Sequence, residues 1–437
     1  MSRIRAILES RAFVPSCLLA ALALRILCVA WFRVSPISDF QFYYDRAVDM
    51  AAGRGVVFHG APTAYWPMGY SFLLAAIFSV TGPSVTAAVT VNVALSLASL
   101  WLVHRIALRL TASRLAASVA LAIAAFHPNQ IAYCALTANE TLASFLVLAG
   151  TALLLRAREM PGGARAAVLA CGGVVFGLGC LVKPQIAVLP TVCLAWFAWR
   201  DRQPRLRLVG SLVLVNAGLA LTILPWTVRN YRVFGHVVFI ANTGGVNLLI
   251  GNSPTATGAY PDPEAERRFG ALLHSFGGDE ASIDRAAGHE ASSYIERHPL
   301  HTLALVPVKI WHLYAKDFEG FSWIGEASSA ARARSLAPLK ILAQLYYVGL
   351  IALVGAGLLW PRRARPDPLP LVIAVTFTAV YAVYFGMGRF HFVVMPWFAL
   401  YAGGFISAWA TSRSAVPSEA VALVSSGTSI ETSLSRS

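Results

Sequence analysis

The chain has few charged residues for its length and no cysteine pattern that would hold a small soluble domain together. Only 13% of its 437 residues are charged, against 57% that are hydrophobic, and too little polar surface results to cover a single soluble core. The six cysteines lie in or at the edges of apolar runs without metal-ligand spacing, which argues against disulfides and a zinc site. The composition therefore predicts a polytopic membrane protein.

Acidic residues are scarcer than basic ones, and the formal net charge is +14. Such a charge would suit nucleic-acid binding, but the arginines are grouped in short loops between apolar runs, where they determine topology instead. These groups are Arg3 to Arg11, Arg105 to Arg114, Arg156 to Arg165, Arg200 to Arg207 and Arg362 to Arg365. We expect all five on the cytoplasmic side and no nucleic-acid partner.

Apolar stretches of about 17 to 25 residues predict about ten transmembrane helices. They lie near residues 14–34, 84–104, 115–133, 140–155, 337–360, 368–387 and 391–411, with three more between 166 and 225. The arginine groups stay on one side only if 166–199 forms a hairpin of two short spans that turns at Lys183-Pro184. The same assignment of the arginine groups to one side predicts that 303–325 is an interfacial helix that does not cross the membrane.

This topology divides the chain into four regions. Residues 1–225 would form an N-terminal transmembrane module with a first outer loop at 35–83, and residues 226–336 an extracytoplasmic loop region of mixed structure. Residues 337–411 would supply the C-terminal transmembrane helices. The Ser/Thr-rich segment 412–437 has no apolar periodicity, which predicts a disordered cytoplasmic tail.

Asp39 is the most informative acidic residue, because it follows the first apolar run directly. A carboxylate at the mouth of a bilayer is costly, so its position favours a functional role. Glu140 begins the fourth span at the same predicted face, where it either shares the chemistry with Asp39 or stabilises the N-terminus of its own helix. Asp45 and Asp49 lie on a helix-like stretch with Arg46 and are better explained as solvated residues.

Three cations are predicted at the same face: Lys183, Arg229 and Arg389. Cations in such places extend harmlessly to lipid headgroups or bind the phosphate of a lipid substrate. Positive residues normally gather on the cytoplasmic side of a membrane protein, whereas Lys183 and Arg389 are predicted on the opposite face. Phosphate binding is therefore the favoured interpretation for these two residues. Both interpretations stay open for Arg229.

Seven short motifs appear in an order that resembles a known superfamily. They are Ser38-Asp39 with Tyr43-Tyr44, Trp66 to Tyr70, Thr137 to Thr141, Leu178 to Pro184, Trp226 to Tyr231, Asn242 to Asn252, and Arg389 to His391. The set is similar to that of GT-C glycosyltransferases, and the nearest branch resembles glycosyltransferase family 39, with protein O-mannosyltransferases and lipid A aminoarabinose transferases. The resemblance extends to about residue 411. It implies an all-α GT-C fold with amphipathic interfacial helices in the first outer loop.

The resemblance implies an inverting glycosyltransferase that takes a sugar from a polyprenyl-phosphate donor. Asp39 corresponds to the catalytic carboxylate of the first outer loop, and Glu140 to a second acid. Relatives commonly have a further acid next to the catalytic carboxylate, whereas this chain has Phe40 there. The use of a divalent metal therefore stays open, and no cofactor is assigned. Relatives of the aminoarabinose type also carry a lysine before the first-loop proline motif; this chain lacks it, so Lys183 or Arg389 would hold the donor phosphate.

Other residues of the motifs are candidates for contacts with sugar or acceptor: Tyr43, Tyr65, Trp66, Tyr70, His391 and Asn247. Anchoring at the membrane interface explains the aromatic residues equally well, and turn formation explains Asn247. The implied partners are the lipid-linked donor, membrane lipid, and a glycolipid, glycan or protein acceptor. The implied location is the bacterial inner membrane, with the active site on its extracytoplasmic face.

A secondary transporter or lipid-linked saccharide flippase is the alternative. Proteins of that class place ionisable residues near the middle of the bilayer and often have internal repeats. In this sequence the charges gather at one predicted surface, beside a long outer loop, and no repeat is present. The enzyme is therefore the favoured hypothesis.

Overall fold

The chain folds into a predominantly helical bundle. The computed structural model describes residues 2–260, 279–361 and 365–414, together with residues 267 and 271. Most of the predicted tail, from residue 415 onward, lies outside the described residues. A short antiparallel hairpin pairs β1 (Val57–Phe58) with β2 (Ala61–Pro62) in the segment predicted as the first outer loop.

Nineteen α-helices and two 3-10 helices are present in the described part of the chain. The first eleven α-helices are α1 (Ser2–Leu8), α2 (Phe13–Phe32), α3 (Ser38–Ala51), α4 (Gly69–Thr81), α5 (Val85–Thr111), α6 (Arg114–Ala125), α7 (Pro128–Tyr133), α8 (Glu140–Arg158), α9 (Gly162–Val182), α10 (Leu189–Arg200) and α11 (Arg205–Phe234). The others are α12 (Gly244–Gly251), α13 (Glu280–Arg297), α14 (Pro299–Tyr314), α15 (Glu319–Glu326), α16 (Ala330–Ser335), α17 (Ala337–Leu359), α18 (Leu369–Val383) and α19 (Met395–Ser414). The 3-10 helices are Pro184–Val188 and Gly388–Val394.

Seven helical segments are long and apolar enough to cross a membrane: Phe13–Phe32, Val85–Thr111, Glu140–Arg158, Gly162–Val182, Arg205–Phe234, Ala333–Leu359 and Gly388–Arg413. Three shorter apolar helices accompany them, at Gly69–Thr81, Arg114–Ala125 and Leu369–Val383. The predicted class, an all-α polytopic membrane protein, is therefore confirmed. The structure does not establish the predicted count of ten transmembrane helices.

The bundle has central and peripheral helices. In α8 and in the segment Gly388–Arg413, 78% and 83% of the most apolar window is buried, whereas in α2 and α11 the figure is 22%. A helix that is apolar on all sides and has little of its surface buried against protein must contact lipid. The helices α2 and α11 therefore belong to the periphery. The two central segments carry Glu140 and Arg389 at their first turns.

Small residues bring α9 and α11 together. A side chain at Gly173 would collide with the Val215 carbonyl, one at Gly177 with Thr222, and one at Gly218 with the Ala170 carbonyl. In a membrane, where helices gain no hydrophobic free energy from associating, such close backbone approach supplies the van der Waals contact that holds them. This contact fixes the end of α9, and with it Lys183.

Arg25 is a fully buried cation within α2. Its Nε donates to Ser96 Oγ at 2.8 Å, and Nη1 donates to the carbonyls of Ala21 and Ala125, both at 3.1 Å. These partners belong to α2, α5 and the end of α6. A charge in this environment is tolerated only with hydrogen bonds of this kind, so Arg25 joins three helices that apolar packing alone would hold less specifically.

Two regions differ in detail from the sequence-based topology. The segment 303–325 is not one helix but α14 and α15, neither of which is among the candidate spans, and Leu300, Leu303, Val308 and Trp311 form an exposed apolar stripe on α14. The chain does turn at Lys183-Pro184, but α9 before the turn is long enough to span. The helix α11 continues through the predicted boundary at 225 to Phe234.

The α9–α11 contact leads to a stability prediction. Gly173→Ala should lower the free energy of unfolding by about 1–3 kcal/mol, because the added methyl group forces the two helices apart. Gly210→Ala, on the exposed face of α11, is the matched control, since its added methyl group would meet no described residue outside the neighbouring turns of its own helix within 4 Å. Thermal unfolding of both variants in detergent measures the difference, and equal midpoints would contradict the packing account.

Candidate active site

A cavity of about 860 Å³ opens at one end of the bundle. This volume lies within the usual range of small-molecule sites. The start of α3, the residue before α8, the end of α9 and the segment before α19 all converge here. Four groups of residues form the wall: Ser38, Asp39 and Tyr43; Tyr65, Trp66 and Pro67; Lys183 to Gln185 with Val188; and His236 to Gly244. Asn247, Asp284, Trp323, Tyr381 and Arg389 are further lining residues.

Local backbone geometry places Asp39 in the wall. The helix α2 ends at Phe32, and α3 starts at Ser38, whose φ of 52° lies in the left-handed region. For a residue other than glycine this conformation costs of the order of 1–3 kcal/mol and is often found at functional sites. Asp39 follows in the first turn of α3, where the helix N-terminus favours its negative charge.

Asp39 forms an ion pair with Arg389. Nη1 of Arg389 donates to Oδ2 of Asp39 at 2.7 Å, and the side chains are 18% and 9% exposed. Such a bond is charge-assisted and stronger than one between neutral groups. Within the described residues, Oδ1 of Asp39 and Nε of Arg389 have no hydrogen-bond partner. The pair therefore retains one acceptor and one donor for a ligand.

A second ion pair joins Lys183 to Glu140. Nζ of Lys183 lies 3.2 Å from Oε1 of Glu140, and both side chains are almost fully buried. Lys183 follows α9 in extended backbone, with φ of −144° and ψ of 105°, because Pro184 disfavours helix at the preceding residue. Glu140 is beneath the cavity wall rather than in it, and its Oε2 finds no partner in the described part of the chain.

Aromatic rings pack beside the cations of the two ion pairs. The ring centroid of Phe390 is 5.8 Å both from Nζ of Lys183 and from the guanidinium of Arg389, and Trp323 lies 5.8 Å from the same guanidinium. These distances permit cation–π attraction. The Tyr43 hydroxyl accepts a hydrogen bond from Asn139 Nδ2 at 3.1 Å.

Burial raises the pKa of two lining tyrosines further above physiological pH. Desolvation, reinforced by the charge of Asp39, raises the pKa of Tyr43 well above its usual value. Desolvation also raises the pKa of Tyr65 to about 12. Both side chains therefore present neutral phenol groups to the cavity at physiological pH.

Three residues predicted for the site lie elsewhere. Tyr70 is fully buried and donates to Asn92 Oδ1 at 3.2 Å. Arg229 uses its guanidinium on the backbone, donating to the carbonyls of Thr63 at 2.9 Å and Val56 at 3.0 Å, which leaves it tying the first loop to α11. His391 has no exposed surface. The geometry therefore gives no support for a ligand-binding role of these three residues.

His391 belongs to a buried hydrogen-bond network around Asp317, next to the residues of the cavity wall. Its Nε2 lies 3.0 Å from Oδ1 of Asp317, an oxygen that also accepts from Asn129 Nδ2 at 2.6 Å. His127 Nε2 is 3.2 Å from the other oxygen of Asp317. Desolvation lowers the pKa of His127. Since Asp317 precedes α15, the network fixes Trp323 of α15 relative to Arg389.

The other acids of the first loop have local partners. Asp45 accepts from Gln41 Nε2 at 2.6 Å, and Asp49 binds Arg46 at 2.7 Å and Arg54 at 2.8 Å. Both acids are half-buried rather than fully solvated, and their partners lie in or next to their own helix. This local pairing makes Asp45 a suitable control for Asp39.

The acids of the site do not fit a divalent metal. In the described ranges no group of three or more His, Cys, Asp or Glu residues is arranged to hold a metal ion. Asp39 and Glu140 are each paired with a side-chain cation, whose positive charge would repel a dication at the remaining carboxylate oxygen. We therefore assign no metal to the site.

Sequence reasoning missed several lining residues. Trp323 and Tyr381 lie in segments read only as interfacial or transmembrane, and an aromatic residue in such a segment has no distinguishing sequence signal. Asp284 accepts from the backbone N–H groups of Gly245 and Val246 at 2.7 and 3.0 Å and so holds the N-terminus of α12 at the cavity. The acid-rich composition of its segment concealed that role.

Comparisons with known proteins agree with this fold. A protein-family profile described as dolichyl-phosphate-mannose-protein mannosyltransferase matches residues 66–228. No curated protein sequence matches the chain. Among solved structures, the oligosaccharyltransferase AglB from Archaeoglobus fulgidus, in complex with an inhibitory peptide and a dolichol-phosphate, aligns with a TM-score of 0.55 at 14% identity, over 97% of this chain and 52% of AglB. This chain thus spans about half the length of AglB.

ArnT from Cupriavidus metallidurans, bound to undecaprenyl phosphate, aligns more loosely, with a TM-score of 0.44 at 16% identity over 93% of this chain and 80% of ArnT. The profile match and the AglB alignment establish the fold: the chain has the GT-C fold that its motif order resembles.

The Glu140–Lys183 pair yields a prediction about stability. Glu140→Gln should lower the free energy of unfolding by about 3–5 kcal/mol, because Lys183 is left as an uncompensated buried charge. Combining it with Lys183→Met should recover much of this loss. A double-mutant cycle by thermal unfolding measures the coupling.

The exposed pair Arg158–Asp201, at 2.7 Å, serves as the control for that cycle. Asp201→Asn should cost less than about 1 kcal/mol, because exposed pairs contribute little. Additive losses for Glu140→Gln and Lys183→Met would show that the two residues are not energetically coupled.

Proposed function

We propose that this GT-C chain is a glycosyltransferase that moves a sugar from a polyprenyl-phosphate-linked donor to a hydroxyl acceptor. The carrying observation is that one cavity at the end of a membrane bundle holds a carboxylate with one unpaired oxygen beside two buried cations. A carboxylate activates a hydroxyl and cations stabilise a leaving phosphate, so the two halves of a glycosyl transfer are present together.

The cavity suits a lipid phosphate. Lys183 and Arg389 supply positive charge, and Val188, Val237 and Phe239 form an apolar part of the wall that is also exposed. A polyprenyl chain would lie on this apolar surface while its phosphate meets the cations. The AglB structure, whose fold this chain shares, contains a dolichol-phosphate, which supports this class of donor.

In the proposed reaction Asp39 Oδ1 accepts the proton of the acceptor hydroxyl. The hydroxyl oxygen attacks the anomeric carbon of the donor sugar, and the bond from that carbon to the phosphate oxygen breaks. The electron pair leaves with the lipid phosphate, whose charge Lys183 and Arg389 stabilise. One displacement of this kind inverts the anomeric centre.

Arg389 links the two halves of this reaction. Its guanidinium is bound to Oδ2 of Asp39 in the structure, and the arriving donor phosphate competes for the same group. When the guanidinium turns toward phosphate, Oδ2 of Asp39 loses the donor that it binds in the structure. Donor binding would therefore release Asp39 to interact with the acceptor hydroxyl.

We place this site on the extracytoplasmic face of a bacterial inner membrane. The support is the distribution of arginines, which puts the loops opposite the cavity in the cytoplasm. The acceptor is then a glycolipid, a glycan or a protein hydroxyl at that surface. A flippase would use the same cavity for transport, but it has no need of an unpaired carboxylate oxygen beside the cations.

The central test of the proposed function is transfer of labelled sugar from a panel of polyprenyl-phosphate sugars. Asp39→Asn should reduce turnover by about 10²–10⁴-fold, because the amide cannot accept the proton. Asp45→Asn, at equal abundance, should retain wild-type activity. Absence of transfer by the wild-type chain for every donor, or full activity of Asp39→Asn, would refute the proposal.

Competition for Arg389 predicts an opposite effect of the same substitution on binding. Asp39→Asn should bind undecaprenyl phosphate up to about tenfold more tightly, because a charge-assisted bond of about 1.5 kcal/mol no longer competes for the guanidinium. Isothermal titration or ligand-induced thermal stabilisation measures the affinity. Arg389→Gln should weaken it, and weaker binding by Asp39→Asn would contradict the competition.

A further inference from the structure

Tyr381 is a buried residue of the cavity wall that the reaction just described does not use. It lies near the end of α18 and is 2% exposed, yet it lines the cavity. Its hydroxyl has no hydrogen-bond partner among the residues that the structure describes. Buried hydroxyl groups are almost always hydrogen-bonded, so an unpaired one on a residue of the cavity wall is a candidate partner for a ligand atom.

The ring of Tyr381 has a fixed orientation. It stacks on Phe390 with 4.7 Å between centroids and 10° between planes. Phe390 is also the ring that lies 5.8 Å from both Lys183 Nζ and the Arg389 guanidinium. One phenylalanine ring is therefore a common neighbour of Tyr381, Lys183 and Arg389.

The electrostatic surroundings are those of the two ion pairs. Glu140 and Arg389 are the charged residues that act most strongly on Tyr381. A neutral phenol adds a hydrogen-bond donor there without adding a further charge to be balanced.

Resting on the proposed function, we propose that the Tyr381 hydroxyl is a third donor to the lipid phosphate. In the donor the phosphate is a diester with two non-bridging oxygens. When the bond to the anomeric carbon breaks, the bridging oxygen keeps the electron pair, and the product is a monoester with three non-bridging oxygens. Lys183 and Arg389 are available to two of them, and Tyr381 binds the oxygen that becomes charged during the reaction.

This assignment predicts an effect on turnover rather than on substrate binding. An interaction made only as the leaving oxygen gains charge lowers the barrier without tightening the ground state. Tyr381→Phe removes the hydroxyl and keeps the ring. It should lower kcat by about 10²-fold, the usual effect of removing one donor to a developing oxyanion, and leave KM for the donor unchanged.

Tyr133 offers a matched control. It is also fully buried, its hydroxyl also lacks a partner within the described ranges, and its ring lies 4.7 Å from Phe392. Glu140 and Arg389 act on it too. Unlike Tyr381, it does not line the cavity. Tyr133→Phe should therefore leave kcat unchanged.

The experiment compares wild type, Tyr381→Phe and Tyr133→Phe in kcat, in KM, and in thermal stabilisation by undecaprenyl phosphate, the monoester product. We expect Tyr381→Phe alone to lose turnover and part of the stabilisation, while its melting temperature without ligand stays at or above that of wild type, since no protein hydrogen bond is removed. Unchanged kcat and unchanged stabilisation in Tyr381→Phe, or equal losses in Tyr133→Phe, would overturn the proposal.

The lipid-binding measurement also separates the two proposals. If the wild-type chain transfers no sugar, but Tyr381→Phe loses stabilisation by undecaprenyl phosphate, Tyr381 binds the phosphate and the transferase function is wrong. If wild type is active and Tyr381→Phe behaves like it in both measurements, the role of Tyr381 is wrong and the function stands.

Discussion

Charges buried at one end of a membrane bundle must be paired, and this requirement organises the site. Glu140 is held by Lys183 and Asp39 by Arg389, and these four residues come from the start of α8, the end of α9, the start of α3 and the segment before α19. Removing any of them leaves a charge in a medium that solvates it poorly. The bundle therefore depends on the same pairs that give the cavity its chemistry.

The buried charge pairs can also contribute to ligand binding, because their charges are already desolvated in the folded protein. Within the described part of the chain, both pairs keep atoms without a hydrogen-bond partner: Oδ1 of Asp39 and Nε of Arg389 in one pair, and Oε2 of Glu140 in the other. An anionic ligand can replace a carboxylate as the partner of a cation. The free energy needed to desolvate that cation has already been spent during folding. In the proposed reaction this exchange both binds the donor phosphate and exposes the base, which ties catalysis to the presence of substrate.

The sequence predicted the parts of this site that depend on composition and order along the chain. Long apolar runs predicted the helices, and the position of Asp39 after the first run predicted its place at the end of the bundle, because one helix length fixes that distance. Lys183 and Arg389 were singled out as cations at the same face, and the structure brings both to the cavity. Asp39 and Arg389 are 350 residues apart, however, and no local pattern states which acid pairs with which base.

The roles of other residues could not be predicted from the sequence for the same reason. Arg229, Tyr70 and His391 stand in the right motifs, but tertiary contacts turn their polar atoms toward the backbone, Asn92 and Asp317. Tyr381 occupies an apolar segment where nothing marks it, and only packing against Phe390 brings it to the cavity. Motif position predicts proximity to a site, whereas the direction of a side chain is decided by distant parts of the chain.

The most direct test of this account is a structure of the wild-type chain in lipid nanodiscs with undecaprenyl phosphate. The account predicts that the phosphate lies within hydrogen-bond distance of Lys183 and Arg389, that the guanidinium has moved from Oδ2 of Asp39 toward it, and that Asp39 faces the open cavity. A phosphate bound elsewhere on the bundle, with the Asp39–Arg389 pair intact, would contradict it.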